Sequence, residues 1–158
     1  MKKEITYIST TLKATLDGEP WYGRPAYAVL DEIDETLAFK KPEGNGHSLA
    51  DLLYHMIVWV EFTLERLEKG EYDKKYYETN DWRTIDPKVH TWKKGVKQFK
   101  DINKKIMALL EQQDDELLKE KVDSRDYNFR YLLHGIIQHN IYHLGQITYV
   151  KKLLEKSF

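Results

Sequence analysis

Imidazole is the side chain here best suited to hold a metal ion near neutral pH, and three of the six histidines lie in one stretch, 128–156, reading NFRYLLHGIIQHNIYHLGQITYVKKLLEK. It contains no proline and two glycines, so it predicts one long helix. His139 and His143 stand four apart, which at 3.6 residues per turn puts both rings on nearly the same face. That is a two-point clamp for a metal ion if a third ligand arrives from elsewhere. Leu132, Gly135, Gln146 and Val150 point in nearly the same direction as His139, so the clamp faces inward. Gly135 is costly there, about 1 kcal/mol relative to alanine in a helix interior. It would let a neighbouring helix or a ligand come close, or serve only as a packing contact.

The third ligand is available. His55 falls among Leu49, Leu52, Leu53, Met56, Trp59, Val60 and Leu64, the apolar stripe of another predicted helix. Three inward histidines from two helices make a three-nitrogen site with coordination positions left open, as in catalytic rather than structural centres. Imidazole suits zinc, nickel, copper or iron, and a bound water with its pKa lowered towards 7 would be a nucleophile or base. The plain alternative is a set of satisfied core histidines, since HxxxH arises by chance in helices.

Neighbouring residues carry two readings each. Gln146, one turn beyond His143, would orient a ligand ring or make a helix–helix hydrogen bond. Asp51, one turn before His55, would accept a ring N–H or cap its helix, the cap being preferred. Trp59 and Tyr142 would wall a pocket or fill the core. His134 lies about 140° around the helix from His139 and cannot share its ligand. His47 sits in a loop, where it could rim a pocket, and His90 lies among lysines; neither is placed as a ligand. Arg125 and Arg130 would hold an anionic substrate or serve as ordinary surface cations.

The bulk composition narrows the field. With 25 basic and 26 acidic side chains the net charge is -1, which gives no electrostatic footprint for nucleic acid. The absence of cysteine removes disulfides, thiolate catalysis and cysteine-ligated metal. MKKEITYISTTLK has the basic start of a signal peptide without its apolar core, and no apolar run approaches the roughly 20 residues needed to span a bilayer. The expectation is a soluble cytoplasmic protein of one domain, residues 1–158.

Around these residues the chain predicts helices throughout. Ile5, Ile8, Leu12 and Leu16 define a helix over 4–17, ended by Gly18 and Pro20. Pro25 opens a short one, and 40–46, with Pro42, Gly44 and Gly46, is a loop. Ser48 caps the helix from Leu49 to about Lys69, which Gly70 closes. Residues 71–84 have no period and read as a connection. Asp86-Pro87 signals the start of a third long helix, which runs to Gln113 with Val89, Trp92, Val96, Phe99, Ile102, Ile106, Leu109 and Leu110 as its stripe. Residues 114–127 are a linker with room for one helical turn. Four long helices without strands predict an all-α four-helix bundle, and connections of roughly 30 and 15 residues call for long crossovers.

HSLADLLYHMIVWVEFTLERLEKG (47–70) and LLHGIIQHNIYHLGQITYVKK (132–152) resemble the DinB-like superfamily of metal-binding four-helix bundles. WYGRPAYAVLDEI is similar to that family's W-x-G-P-S segment, with Arg24-Pro25-Ala26 departing from it. On this match His55, His139 and His143 correspond to the family's metal ligands. The resemblance implies an up-down-down-up order, homodimers, and zinc or nickel, with iron or manganese also compatible. It further implies a small-molecule substrate, because some members transfer low-molecular-weight thiols or hydrolyse small compounds.

Three functions compete: a metal-dependent thiol transferase or hydrolase, a non-catalytic metal-binding or sensing module, and a structural bundle with buried histidines. The residue after His139 is Asn140, so the HExxH protease arrangement is absent. With no carboxylate base evident, metal activation of a thiol, already more acidic than water, is easier than peptide hydrolysis.

Overall fold

Four apolar stripes at helical spacing fold as four long helices in the computed structural model, which describes residues 2–44 and 46–156. Asn45 of the predicted 40–46 loop, and residues 1, 157 and 158 at the ends, lie outside that range. The helices are α1 (Lys3–Asp17), α2 (Ala26–Asp31), α3 (Glu35–Ala38), α4 (Leu49–Leu67), α5 (Lys74–Asn80), α6 (Trp92–Glu111) and α7 (Phe129–Glu155), with a 3-10 turn at Leu117–Lys119 before α7. No strand occurs among the described residues, so the fold is all-α. None of the described helices is long and apolar enough to cross a membrane.

Helix α4 is the centre of the core. Its residues 52–58 are buried without interruption, His55 among them, because α6 and α7 pack along it and α3 and α5 also contact it. Helix α1 packs against α6 and α7 in turn. Lys2 reaches the Glu111 carbonyl at the end of α6, and Arg130 at the start of α7 pairs with Glu4. Tyr54 of α4 donates to the Thr91 carbonyl at the start of α6, and Gln98 donates to Glu61 about two turns along each helix. Gly95 lets α6 approach α4 closely: a Cβ there would stand 3.0 Å from Leu53 and from Tyr54.

The helix starts are chemically explicit. Ser48 and Asp51 form a reciprocal capping box, Thr91 caps α6 and Asn128 caps α7. Two further caps come from distant carboxylates at helix N-termini, where exposed N–H groups favour anions. Asp115 accepts from the backbone of Lys3 and Ile5, and Glu35 from that of Trp92 and Lys93.

Three sequence expectations are corrected. The third long helix begins at Trp92 and not at Pro87, because Asp86 turns the chain back on itself: its N–H meets His90 Nδ1 and its carboxylate accepts from Lys88. Val89 is consequently exposed rather than part of the stripe. Helix α4 ends at Leu67, short of the expected Lys69, and Lys69 rather than Gly70 takes the left-handed region after it, at φ 56°. The aperiodic stretch 71–84 contains helix α5, capped by the Asp73 side chain.

Candidate metal centre

His55 comes from the middle of α4, and His139 and His143 from successive turns of α7. The three rings converge. His55 Nε2 lies 3.0 Å from His139 Nε2 and 3.1 Å from His143 Nε2. His55 and His143 are buried and His139 partly so. Among the described residues these three form the group of side chains that could hold a metal ion.

The outer nitrogens decide what the inner ones can do. His55 Nδ1 lies 2.9 Å from both the carbonyl and the carboxylate of Asp81, the residue that ends α5. Both groups only accept, so Nδ1 carries the proton and Nε2 is bare. His143 Nδ1 meets Gln146 Oε1 at 2.5 Å, which sets the same tautomer on that ring. Two lone pairs therefore face each other across 3.1 Å, an arrangement that a cation between them would relieve. Two imidazole nitrogens bound to one ion at about 2.0–2.1 Å stand about 3.3 Å apart at a tetrahedral angle and about 2.9 Å at a right angle. The observed separations lie between these values, so the donor set fits a divalent ion. His139 Nδ1 is buried without a hydrogen-bond partner.

The electrostatics agree with three neutral rings. Burial, reinforced by the two neighbouring imidazoles, pushes the His139 pKa down to about 3. Burial also lowers His55, against the opposing pull of Asp81, and lowers His143, against that of Gln146. Neutral imidazole is the ligating form.

Aromatic side chains enclose the triad. Trp82 stacks on His55 with centroids 3.8 Å apart, and His47 stacks on the other face of Trp82 at 4.1 Å. Tyr142 meets His143 edge-on at 4.9 Å while remaining exposed, and Trp59 lies edge-on to His139 at 6.1 Å. The Trp59 indole N–H donates to Asp81 Oδ1 at 2.8 Å, so one carboxylate fixes both a histidine and a wall of the site.

Of the predicted neighbours, Gln146 is on a histidine of the triad. Asp51 takes the cap reading: its carboxylate accepts from Ser48 N–H and lies 3.6 Å from Lys41. The hydrogen bond expected of it is made by Asp81, which sequence reasoning missed together with Trp82. Asp73 as a helix cap was the available signal, since a helix counted from it ends at Asp81. His134 is exposed, and His90 is edge-on to Tyr54. Arg130 is tied to Glu4, and Arg125 donates to the Tyr72 hydroxyl and covers the Phe62 and Tyr72 rings. Neither arginine belongs to the triad.

No curated protein matches the sequence. The family model described as DinB superfamily matches residues 25–147, which span α2 through most of α7 and include all three histidines, and the chain therefore belongs to the DinB superfamily.

Proposed function

We propose that this protein is a divalent-metal-dependent enzyme acting on a small molecule, by thiol transfer or hydrolysis, through an open site held by His55, His139 and His143. The observation that carries the reading is the pair of bare Nε2 atoms 3.1 Å apart, with their outer nitrogens fixed by Asp81 and Gln146. Zinc or nickel suits three imidazoles best. A bound ion supplies Lewis acidity, which lets a thiol or water lose its proton near neutral pH. The chain does the rest. Asp81 keeps the His55 proton on Nδ1 and Gln146 does so for His143, which leaves both Nε2 atoms free as donors and holds the rings in place. Trp82 stacked on His55 and Trp59 beside His139 shield those rings from bulk water. Asp81 is already engaged by His55 and Trp59, so it orients rather than abstracts protons.

The remaining expectations fit the same reading. An up-down-down-up bundle is supported by Lys2 with Glu111, Glu4 with Arg130, Tyr54 with Thr91, and the opposite running of α4 and α7, where His55 meets His143 while Thr63, about two turns on, shares a pocket with Leu132, about three turns back. We also propose a homodimer, on family grounds, to be checked by light scattering. Trp82 stacked over His55 favours a second reading, in which the ion is held without catalysis. Metal analysis of protein purified without a histidine tag, followed by turnover assays against thiol-transfer, ester and amide substrates, tests the proposal. Bound metal with turnover supports it, and bound metal without exchangeable water or turnover favours the second reading.

A further inference from the structure

A pocket of about 220 Å³ opens beside the triad, lined by Trp59, Thr63, Tyr127, Leu132, Gly135 and His139 among others. Its residues follow from helical spacing. Trp59 and Thr63 are the next two turns after His55 on α4, and Gly135 and Leu132 the turns before His139 on α7. The pocket is therefore a continuation of the histidine site along the groove between the two helices.

Its walls are mostly carbon. The Thr63 hydroxyl bonds the Trp59 carbonyl of its own helix at 2.9 Å, and the Trp59 N–H is taken by Asp81. Both residues so turn apolar surface inward, and the rings of Tyr127 and Tyr131, 5.0 Å apart, flank the far end, with Tyr131 exposed to solvent. Gly135 is what keeps the space open. Unlike Gly95, where a Cβ would press on Leu53 and Tyr54, a Cβ at Gly135 would meet nothing within 4 Å. Close helix packing therefore does not explain Gly135, and a side chain larger than alanine there would project into the pocket. A dry apolar cavity of about 150 Å³ accepts benzene, so this one has room for a six-membered ring and one or two further carbons.

We propose that the pocket is the subsite for an aromatic ring of the substrate, which makes the substrate class a compact arylalkyl compound whose metal-seeking head reaches the triad past the edge of His139. This rests on the triad being the metal site proposed above.

The test compares phenylmethanethiol with 2-mercaptoethanol, two primary thiols of which the first carries a ring where the second carries a hydroxymethyl group, by calorimetry on the zinc-loaded protein. The expected result is at least tenfold tighter binding of the aromatic thiol. Gly135→Leu should reduce that preference to less than twofold while leaving zinc affinity and 2-mercaptoethanol binding unchanged, and Gly135→Ala, which leaves most of the volume, should retain it. No preference in the natural sequence, or a preference that survives Gly135→Leu, overturns the subsite. A second arm needs no metal: toluene is titrated into chelator-treated protein while the Trp59 indole N–H resonance is followed. A saturable shift that Gly135→Leu abolishes supports the ring subsite even if zinc fails to bind, in which case only the metal reading falls. Zinc binding without any toluene response overturns the subsite and leaves the metal centre standing.

Discussion

Replacing Asp81 with alanine separates orientation of the site from its ligation. The substitution removes the carboxylate 2.9 Å from His55 Nδ1 and 2.8 Å from Trp59 Nε1. It leaves the Asp81 carbonyl, also 2.9 Å from His55 Nδ1, so the tautomer survives. Loss of a hydrogen-bond partner to a metal-ligating histidine typically costs 10–100-fold in metal affinity, and with one acceptor retained the expected loss is about tenfold, or about 1.4 kcal/mol. The carboxylate side chain is 34% exposed, so water can replace it at Trp59. The metal-free protein should therefore lose only about 1 kcal/mol, the low end for an orphaned donor. Asp81→Asn keeps an acceptor oxygen without the charge and should fall between the two. Zinc affinity is measured by competition with a chromophoric chelator, and stability by urea unfolding of chelator-treated protein. A zinc affinity within twofold of the natural protein in Asp81→Ala, despite reduced stability, would refute the idea that Asp81 prepares His55 for a metal.

Further outcomes follow from the same geometry. The native His139 pKa is held near 3 against 6.5 for an ordinary histidine, so below pH 6.5 the unfolded chain binds more protons than the native one. Stability of the metal-free protein should fall as pH drops through 6.5 and keep falling towards 3, by up to about 1.4 kcal/mol per pH unit from this residue; urea midpoints at pH 7.5, 6 and 5 check this. Gly95→Ala should lower the melting temperature, because overpacking against Leu53 and Tyr54 costs about 1–3 kcal/mol, more than the helix propensity it gains. His134→Ala and His90→Ala should leave zinc affinity unchanged by the same competition assay, since neither ring reaches the triad.

The triad was legible because its information is periodic. His139 and His143 repeat at one helical turn, and His55 sits within a leucine-rich stripe, so burial and facing follow from spacing alone. The Ser48 cap was legible for a similar reason, being local side-chain chemistry. Asp81 was not: it reaches His55 only because the short helix α5 docks on α4, and a seven-residue helix leaves no stripe to read. The start of α6 was misread because Asp86-Pro87 fits both a helix opening and the tight turn it forms, and the choice is made by Glu35, a distant residue that accepts from the first N–H groups of α6. Gly135 illustrates a different limit. Its two readings, close packing or open space, are identical in sequence and are separated only by the empty volume around its missing Cβ.

X-ray absorption spectroscopy on the zinc-loaded protein, with stoichiometry measured on the same sample, tests the central claim most directly. The account predicts a single equivalent per chain bound by three imidazole nitrogens at about 2.0 Å, together with an exchangeable oxygen ligand, and loss of one imidazole in His55→Ala. Failure to bind zinc, nickel or another divalent ion, with stability unaffected by chelator, would contradict it and leave three neutral histidines buried in a structural core.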